Sequence, residues 1–238
     1  MIFEHTFPVN SHSCDFNGVA RPSAVMTFLQ EAVNLQIEAY GPKDREMRAE
    51  GKTFILSRIG VCQYEPIYAY ETLRAETWAV DSRGFSFLRC HRLYRGDKLI
   101  TDATTVWAYV DIASKRPLRT TEYHPNFTTA PMSDFGTPDR IRMPQGELPL
   151  LGKYTVRYAD TDRNGHMNNT VYADMLCGFL DLHGKRVSRF SINYMNEAPY
   201  GTHLSIFGEK GEGDTFLFRS LREDGKTNIE ASFSIESI

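Results

Sequence analysis

Residues 160–169 read DTDRNGHMNN and residues 14–21 read CDFNGVAR, two versions of one polar turn in a single chain. Both carry Asp-x-Asn-Gly, and both stand just before an apolar run with helical spacing. Asp15, Asn17, Gly18 and Leu29 lie at one constant offset from Asp162, Asn164, Gly165 and Leu176. Ser57-Arg58 and Leu73 lie at a second, shorter offset from Ser188-Arg189 and Leu204. Matched positions in the same order imply a duplicated unit. The second copy has lost residues between its turn and its next strand, and GPKDREMRAEGK at 41–52 is the surplus in the first. At the one reactive position the copies differ: His166 of the second turn is Val19 in the first.

Outward from the turns, the two copies predict the same order of elements. An extended segment (Thr6 to Val9, Tyr154 to Tyr158) leads into each turn, and a helix follows it. In the first copy Pro22 suits a first helical position, and Val25, Leu29, Val33 and Ile37 space one apolar side. In the second, Asn168 or Asn169 is the expected N-cap, and Tyr172, Met175, Leu176, Phe179 and Leu180 form the stripe. Strand-like runs come next, with Arg95-Gly96-Asp97-Lys98 and Glu223-Asp224-Gly225-Lys226 reading as hairpin turns. One helix followed by an antiparallel meander, twice over, predicts an α+β protein in which each helix packs on a curved sheet. Six of the eleven prolines (Pro117, Pro125, Pro131, Pro138, Pro144 and Pro149) fall in one stretch, so residues 117–149 read as a connection between units 1–116 and 150–238.

Composition narrows the function classes. With 41% hydrophobic and 24% charged residues, the 238-residue chain has material for a real core, and its net charge of −3 offers no global attraction to nucleic acid or anionic membranes. No apolar run approaches the roughly 18 residues that span a bilayer, so membrane insertion is not expected. The segment MIFEHTFPVN lacks the basic-then-apolar pattern of a secretory leader, and the cysteines Cys14, Cys62, Cys90 and Cys177 are scattered. A bacterial cytoplasmic protein with reduced thiols is the expectation. The histidines show no paired ligand spacing, and Asp160-Thr161-Asp162 finds no evident third ligand, so neither metal nor cofactor is expected.

At these residues the chain resembles a known family. A helix wrapped by an antiparallel sheet is the hot-dog fold, and two fused copies with D-x-N-x-H before the second helix look like the plant and bacterial acyl-carrier-protein thioesterases. The second copy carries Asp162, Asn164, His166, Asn168, Asn169 and Tyr172 in that pattern, followed by Tyr194 and Glu197 in NYMNEAP, where the family places a glutamate. Ser57-Arg58, Glu76-Thr77-Trp78, Gly84-Phe85 and WAYVDIASKRPLR at 107–119 also fit. The resemblance implies a tandem (double) hot-dog fold, a fatty acyl group on acyl carrier protein as substrate, and hydrolysis of its thioester to end fatty acid elongation. Plant members have a cysteine beside the glutamate; here that position is Ala198.

Thioester hydrolysis needs an activated water or nucleophile and donors for the developing oxyanion. In an extended segment or tight turn, residues two apart project to one side, so Asp162, Asn164 and His166 are expected to converge on one cleft. The catalytic set expected is Asp162, Asn164, His166 and Glu197. Glu197 and His166 would activate water, Asn164 would position it, and Asp162 would orient the Asn/His pair or attack directly to give an anhydride. Unpaired N–H groups at the helix start near Asn168 would face the carbonyl oxygen. Asn168, Met26, Phe28, Leu29, Trp78 and Phe87 are expected to contact substrate. Capping by His166 and a solvated Glu197 are the structural alternatives. Coenzyme A as the handle, dehydration of a hydroxyacyl thioester, and an acyl-binding protein without turnover are the functional ones. The sequence leaves homodimerisation, chain-length preference and the choice between covalent and general-base routes open.

Overall fold

The computed structural model describes residues 1–138 and 140–238. In the first copy the elements are β1 (Phe3–Pro8), α1 (Pro22–Tyr40), α2 (Asp44–Ala49), β2 (Lys52–Gln63), β3 (Thr72–Ala79), β4 (Phe87–Arg95) and β5 (Lys98–Asp111). The second repeats the order with β6 (Leu150–Thr155), α3 (Val171–Cys177), β7 (Lys185–Tyr194), β8 (His203–Lys210), β9 (Thr215–Arg222) and β10 (Thr227–Ser237). All the strands form one antiparallel sheet in the order β1-β3-β4-β5-β2-β7-β10-β9-β8-β6. Strands one to five and six to ten are thus arranged alike, each set ending on the strand that follows its helix. This is the double hot-dog architecture.

The join between the sets is β2 against β7, where Gly60 pairs with Ser191, flanked by Ile59↔Ile192 and Val61↔Phe190. Gly60 and Ser191 are sequence equivalents at the offset of Ser57 and Ser188, so a pseudo-twofold axis passes between them. Alternation along β2 sends Ile59 and Val61 into the core and leaves Gly60 on the opposite face. There the proline-rich segment crosses: a Cβ built on Gly60 would lie 3.1 Å from Pro138 and 3.2 Å from the Phe135 ring. Arg58 Nη1 donates to Pro138 O at 3.1 Å, and Arg189, its equivalent, lies over the Phe135 ring. The connection is therefore packed on the sheet, and Tyr123 and Phe127 within it are buried. Gly60→Val should overpack this crossing and cost about 1–3 kcal/mol, read as a lower midpoint in urea unfolding; an unchanged midpoint would show that the segment is not held there.

The core lies between the sheet and helices, with Val25 and Leu29 of α1 and Leu176 of α3 set among Ile59, Val61, Ile192, Phe218 and Phe233. The helices also meet end on: Asp174 of α3 accepts from Ser23 N at 3.1 Å and from Ser23 Oγ, and so neutralises the N-terminus of α1. Two sequence expectations need correction. The second helix stops at Cys177, because Gly178 caps it and the chain turns through Phe179 N→Leu176 O (3.0 Å); Phe179 and Leu180 therefore pack from a turn and not from a helical stripe. The residue at its N-cap is Thr170, whose N–H and hydroxyl both donate to Asn168 Oδ1 at 3.0 and 3.1 Å.

Candidate active site

The two turns share one frame of hydrogen bonds, to which the first adds Val19 N→Asp15 Oδ1 at 3.2 Å. Asp15 Oδ1 accepts from Asn17 N at 2.8 Å, and Asp162 Oδ1 accepts from Asn164 N at 2.7 Å. The Gly18 and Gly165 amides donate to the Asp15 and Asp162 carbonyls at 3.0 Å, and Asp15 N→Val19 O has its counterpart in Asp162 N→His166 O. Both glycines sit at positive φ (76° and 74°), which explains why Gly follows Asn in each copy. Asp-x-Asn-Gly is thus the minimum chemistry of the turn, and it does the same work twice.

The side chains then part company. Asn17 spends its amide on the other half: Nδ2 donates to Leu182 O (2.6 Å) and Lys185 O (3.0 Å), and Oδ1 accepts from Gly184 N (3.1 Å). Asn164 makes none of these bonds; its Nδ2 donates to Asp162 Oδ2 at 2.9 Å and it faces a cleft. The longer 41–52 segment brings α2 to the rim here, where Arg163 pairs with Asp44 at 2.8 Å. Val19 is buried, whereas His166 lines the cleft with its ring 29% exposed. His166 Nε2 lies 3.6 Å from Glu197 Oε2, whose side chain is 43% exposed. In the first copy the position equivalent to Glu197 is Pro66, because Ala20 N→Ile67 O corresponds to Met167 N→Ala198 O. The reactive pair exists in one copy only.

Glu197 stands on a rigid bend. Met195 N and Asn196 N both donate to Asn228 O, the Asn228 amide returns a bond to Asn196 O, and Arg222 Nη1 holds Glu197 O at 2.8 Å. The Tyr194 hydroxyl donates to Asn169 O at 2.8 Å, and the Tyr172 hydroxyl accepts from Asn228 Nδ2 at 3.1 Å. Burial drives both phenols up, Tyr172 to about 12, so they stay protonated posts. Lys115, the residue at φ 57°, brings its ammonium 3.7 Å from Glu197 Oε1. Lys115 and Arg222 were not picked out from the sequence. Lys115 comes from the other half, and no local spacing ties Arg222 to residue 197.

The cleft has a volume of about 1350 Å³ and is lined from both halves. Asp162, Asn164, His166, Asn168 and Glu197 share it with Phe54, Phe87, Tyr123 and Phe127, so a polar mouth adjoins an aromatic wall. Among the expected substrate contacts, Asn168 and Phe87 line it. Met26, Phe28 and Leu29 do not: they lie buried in the core beneath α1. Trp78 does not either, since its Nε1 donates to Pro131 O at 2.7 Å under the proline-rich segment. Helical spacing gives the apolar side of α1 but not which part of it faces core and which faces cleft. Gln30, Val33, Asn34 and Ile37, farther along, line the cleft.

Four details bear on chemistry. The amides of Asn168, Thr170 and Val171 are already bonded, to Asp160 O, Asn168 Oδ1 and Asn168 O, so the start of α3 is not a row of free donors. Asp160 Oδ2 is taken by Tyr154 OH (2.9 Å) and Arg157 N (2.7 Å), which turns it away from Asp162. Among the described residues no group of three or more His, Cys, Asp or Glu is placed to hold a metal. Burial of the Cys177 sulfur pushes its thiol far above the usual range, so it is no nucleophile. Cys177→Ala should leave thioesterase turnover within about twofold of the parent; a large loss, measured by thiol release, would give this thiol a part in the reaction.

Two fused helix-in-sheet halves, with a histidine and a carboxylate facing each other in a cleft that also has an aromatic wall, define a double hot-dog protein. Residues 1–124 match the acyl-ACP thioesterase N-terminal domain and residues 147–236 the acyl-ACP thioesterase C-terminal domain. The chain belongs to the acyl-ACP thioesterase family, which hydrolyses the thioester joining a fatty acyl group to acyl carrier protein. No curated protein matches it in sequence. Among solved structures it is similar to an acyl-ACP thioesterase from Bacteroides thetaiotaomicron, at 21% identity over 99% of this chain and 98% of that one, with a TM-score of 0.89. It is also similar to the 12:0-ACP thioesterase from Umbellularia californica, at 16% identity over 100% and 98% of the two chains, with a TM-score of 0.82. No helix among the described residues is long and apolar enough to cross a membrane.

Proposed function

We propose that this chain is an acyl-[acyl-carrier-protein] hydrolase with one active site, in its C-terminal copy. Residues 150–238 are the catalytic unit, residues 117–149 the connection, and residues 1–116 a copy that serves the fold and the acyl chain. Glu197 takes the proton of an attacking water, and His166 beside it shares that proton and returns it to the leaving thiolate. The 3.6 Å gap between them suits a pair that tightens when water and thioester arrive. Asn164, its Nδ2 bonded to Asp162, presents Oδ1 to the water and a second N–H to the carbonyl oxygen. Asp162 positions Asn164. Both its oxygens already accept from Asn164, which favours the general-base route over direct attack. A cytoplasmic location fits four free thiols.

The observation that carries this reading is the facing of His166 and Glu197 across the cleft mouth where the other copy has Val19 and Pro66. The test is release of free acid from graded acyl thioesters of acyl carrier protein and of coenzyme A. Faster turnover on carrier protein is expected. A preference for coenzyme A would change the handle, and binding without release would make the chain an acyl-binding protein.

A further inference from the structure

Arg89 on β4 lines the cleft, yet it is only 7% exposed. It lies deep. Register sets it opposite Thr105 in the middle of β5, whereas Lys115, which reaches Glu197, follows the C-terminal end of that strand at Asp111. The separation along β5 is about 20 Å at the usual rise per residue. The guanidinium Nη1 donates to Gln36 Oε1 and to Thr77 Oγ1 at 3.3 Å, and the Phe127 ring lies 5.4 Å from its carbon. Among the described residues no carboxylate pairs with it. Burial lowers its pKa to about 10, which still leaves it charged at neutral pH.

Two further donors nearby are unspent. Gln36, fully buried on α1, has given its oxygen to Arg89 and finds no acceptor for Nε2. The hydroxyl of Tyr123, a cleft-lining residue, has no partner, and burial holds it protonated with its pKa near 12. A hydrocarbon tail satisfies neither of the two unspent donors, and a buried charge held only by neutral acceptors is costly to keep. Arg89 and Tyr123 line the cleft and Gln36 stands behind Arg89, so what this cluster lacks is an acceptor oxygen arriving through the cleft.

Resting on the thioesterase reading of the cleft mouth, we propose that Arg89 and Tyr123, with Gln36 bonded behind Arg89, form a subsite for an oxygen-bearing group, a carboxylate or a hydroxyl, at the far end of the acyl chain. The enzyme would then favour acyl groups with a polar tail over plain alkyl chains of the same length. A site built to hydrogen-bond a substrate oxygen discriminates strongly against the analogue that lacks it, because its own donors are then left unpaired.

The test compares straight-chain acyl thioesters of acyl carrier protein in graded lengths, each made with a methyl end, a terminal hydroxyl and a terminal carboxylate. At the best length, kcat/KM for an oxygenated end should exceed that for the methyl end by about tenfold or more. Arg89→Met should remove that preference, and Tyr123→Phe should reduce it. If Arg89→Met does not fold, Tyr123→Phe and Gln36→Leu carry the comparison. A wild-type enzyme that treats both ends alike, or prefers the methyl end, overturns the proposal. A second arm needs no turnover: calorimetry of free dicarboxylates against monocarboxylates of equal length. Tighter dicarboxylate binding, weakened by Tyr123→Phe, supports the subsite, and equal or weaker binding refutes it. If no thioester is hydrolysed, the hydrolase reading fails while this arm still decides the subsite.

Discussion

Glu197→Gln is expected to lower kcat for thioester hydrolysis by about 10²–10⁴-fold, the usual contribution of a positioned general base. The substitution keeps the shape of the side chain and removes only its capacity to take a proton. The backbone around it is held by bonds from Arg222 and Asn228 that do not involve the carboxylate, so the fold has no reason to change. Unfolding midpoints of the two proteins should therefore coincide. His166→Ala should cost a comparable factor, and the double variant little more, because groups that act on one proton are not additive. Free thiol release in single turnover reads all three. Full activity in Glu197→Gln would remove Glu197 from the mechanism. A large loss in Glu197→Gln with none in His166→Ala would leave the carboxylate working alone.

The second large effect is a crossed pair. Asn17→Ala should destabilise the protein by about 1–3 kcal/mol and leave turnover near the parent value. Asn164→Ala should do the reverse, lowering kcat by about 10–10³-fold with little change in stability. The two asparagines occupy the same place in the same turn. Asn17, however, satisfies Leu182 O, Lys185 O and Gly184 N across the interface of the copies, and Asn164 only meets Asp162. Removing Asn17 strands two part-buried carbonyls and one exposed amide. Removing Asn164 strands one exposed carboxylate oxygen, which water can satisfy. Urea unfolding and steady-state hydrolysis on the same two samples give the answer. If both variants lose stability equally, or if Asn164→Ala turns over at the parent rate, the proposed split of roles between the copies is wrong.

The sequence determined the duplication, the order of elements and the polar turn, because these are local. Asp-x-Asn-Gly needs one positive-φ glycine and one bond from Asp to the amide of Asn, and four residues state that completely. Hairpins at Gly96 and Gly225 and the start of α1 at Pro22 are legible for the same reason. The family pattern also joins His166 to Glu197, and the fold sets them 3.6 Å apart. The tertiary structure decided what each turn faces. It sets Asn17 against the short helix–strand turn at 182–185 and leaves Asn164 open where the longer 41–52 segment carries α2 to the rim. It also decided which side of α1 lines the cleft. Met26, Phe28 and Leu29 point to the core, while Val33 and Ile37, in the later turns of the helix, meet the aromatic wall. Lys115, Arg222 and the buried Arg89 belong to the cleft only through pairings across the sheet, between positions far apart in the chain. Such proximity depends on which strands lie side by side and in what register, and neither a motif nor a periodicity records it.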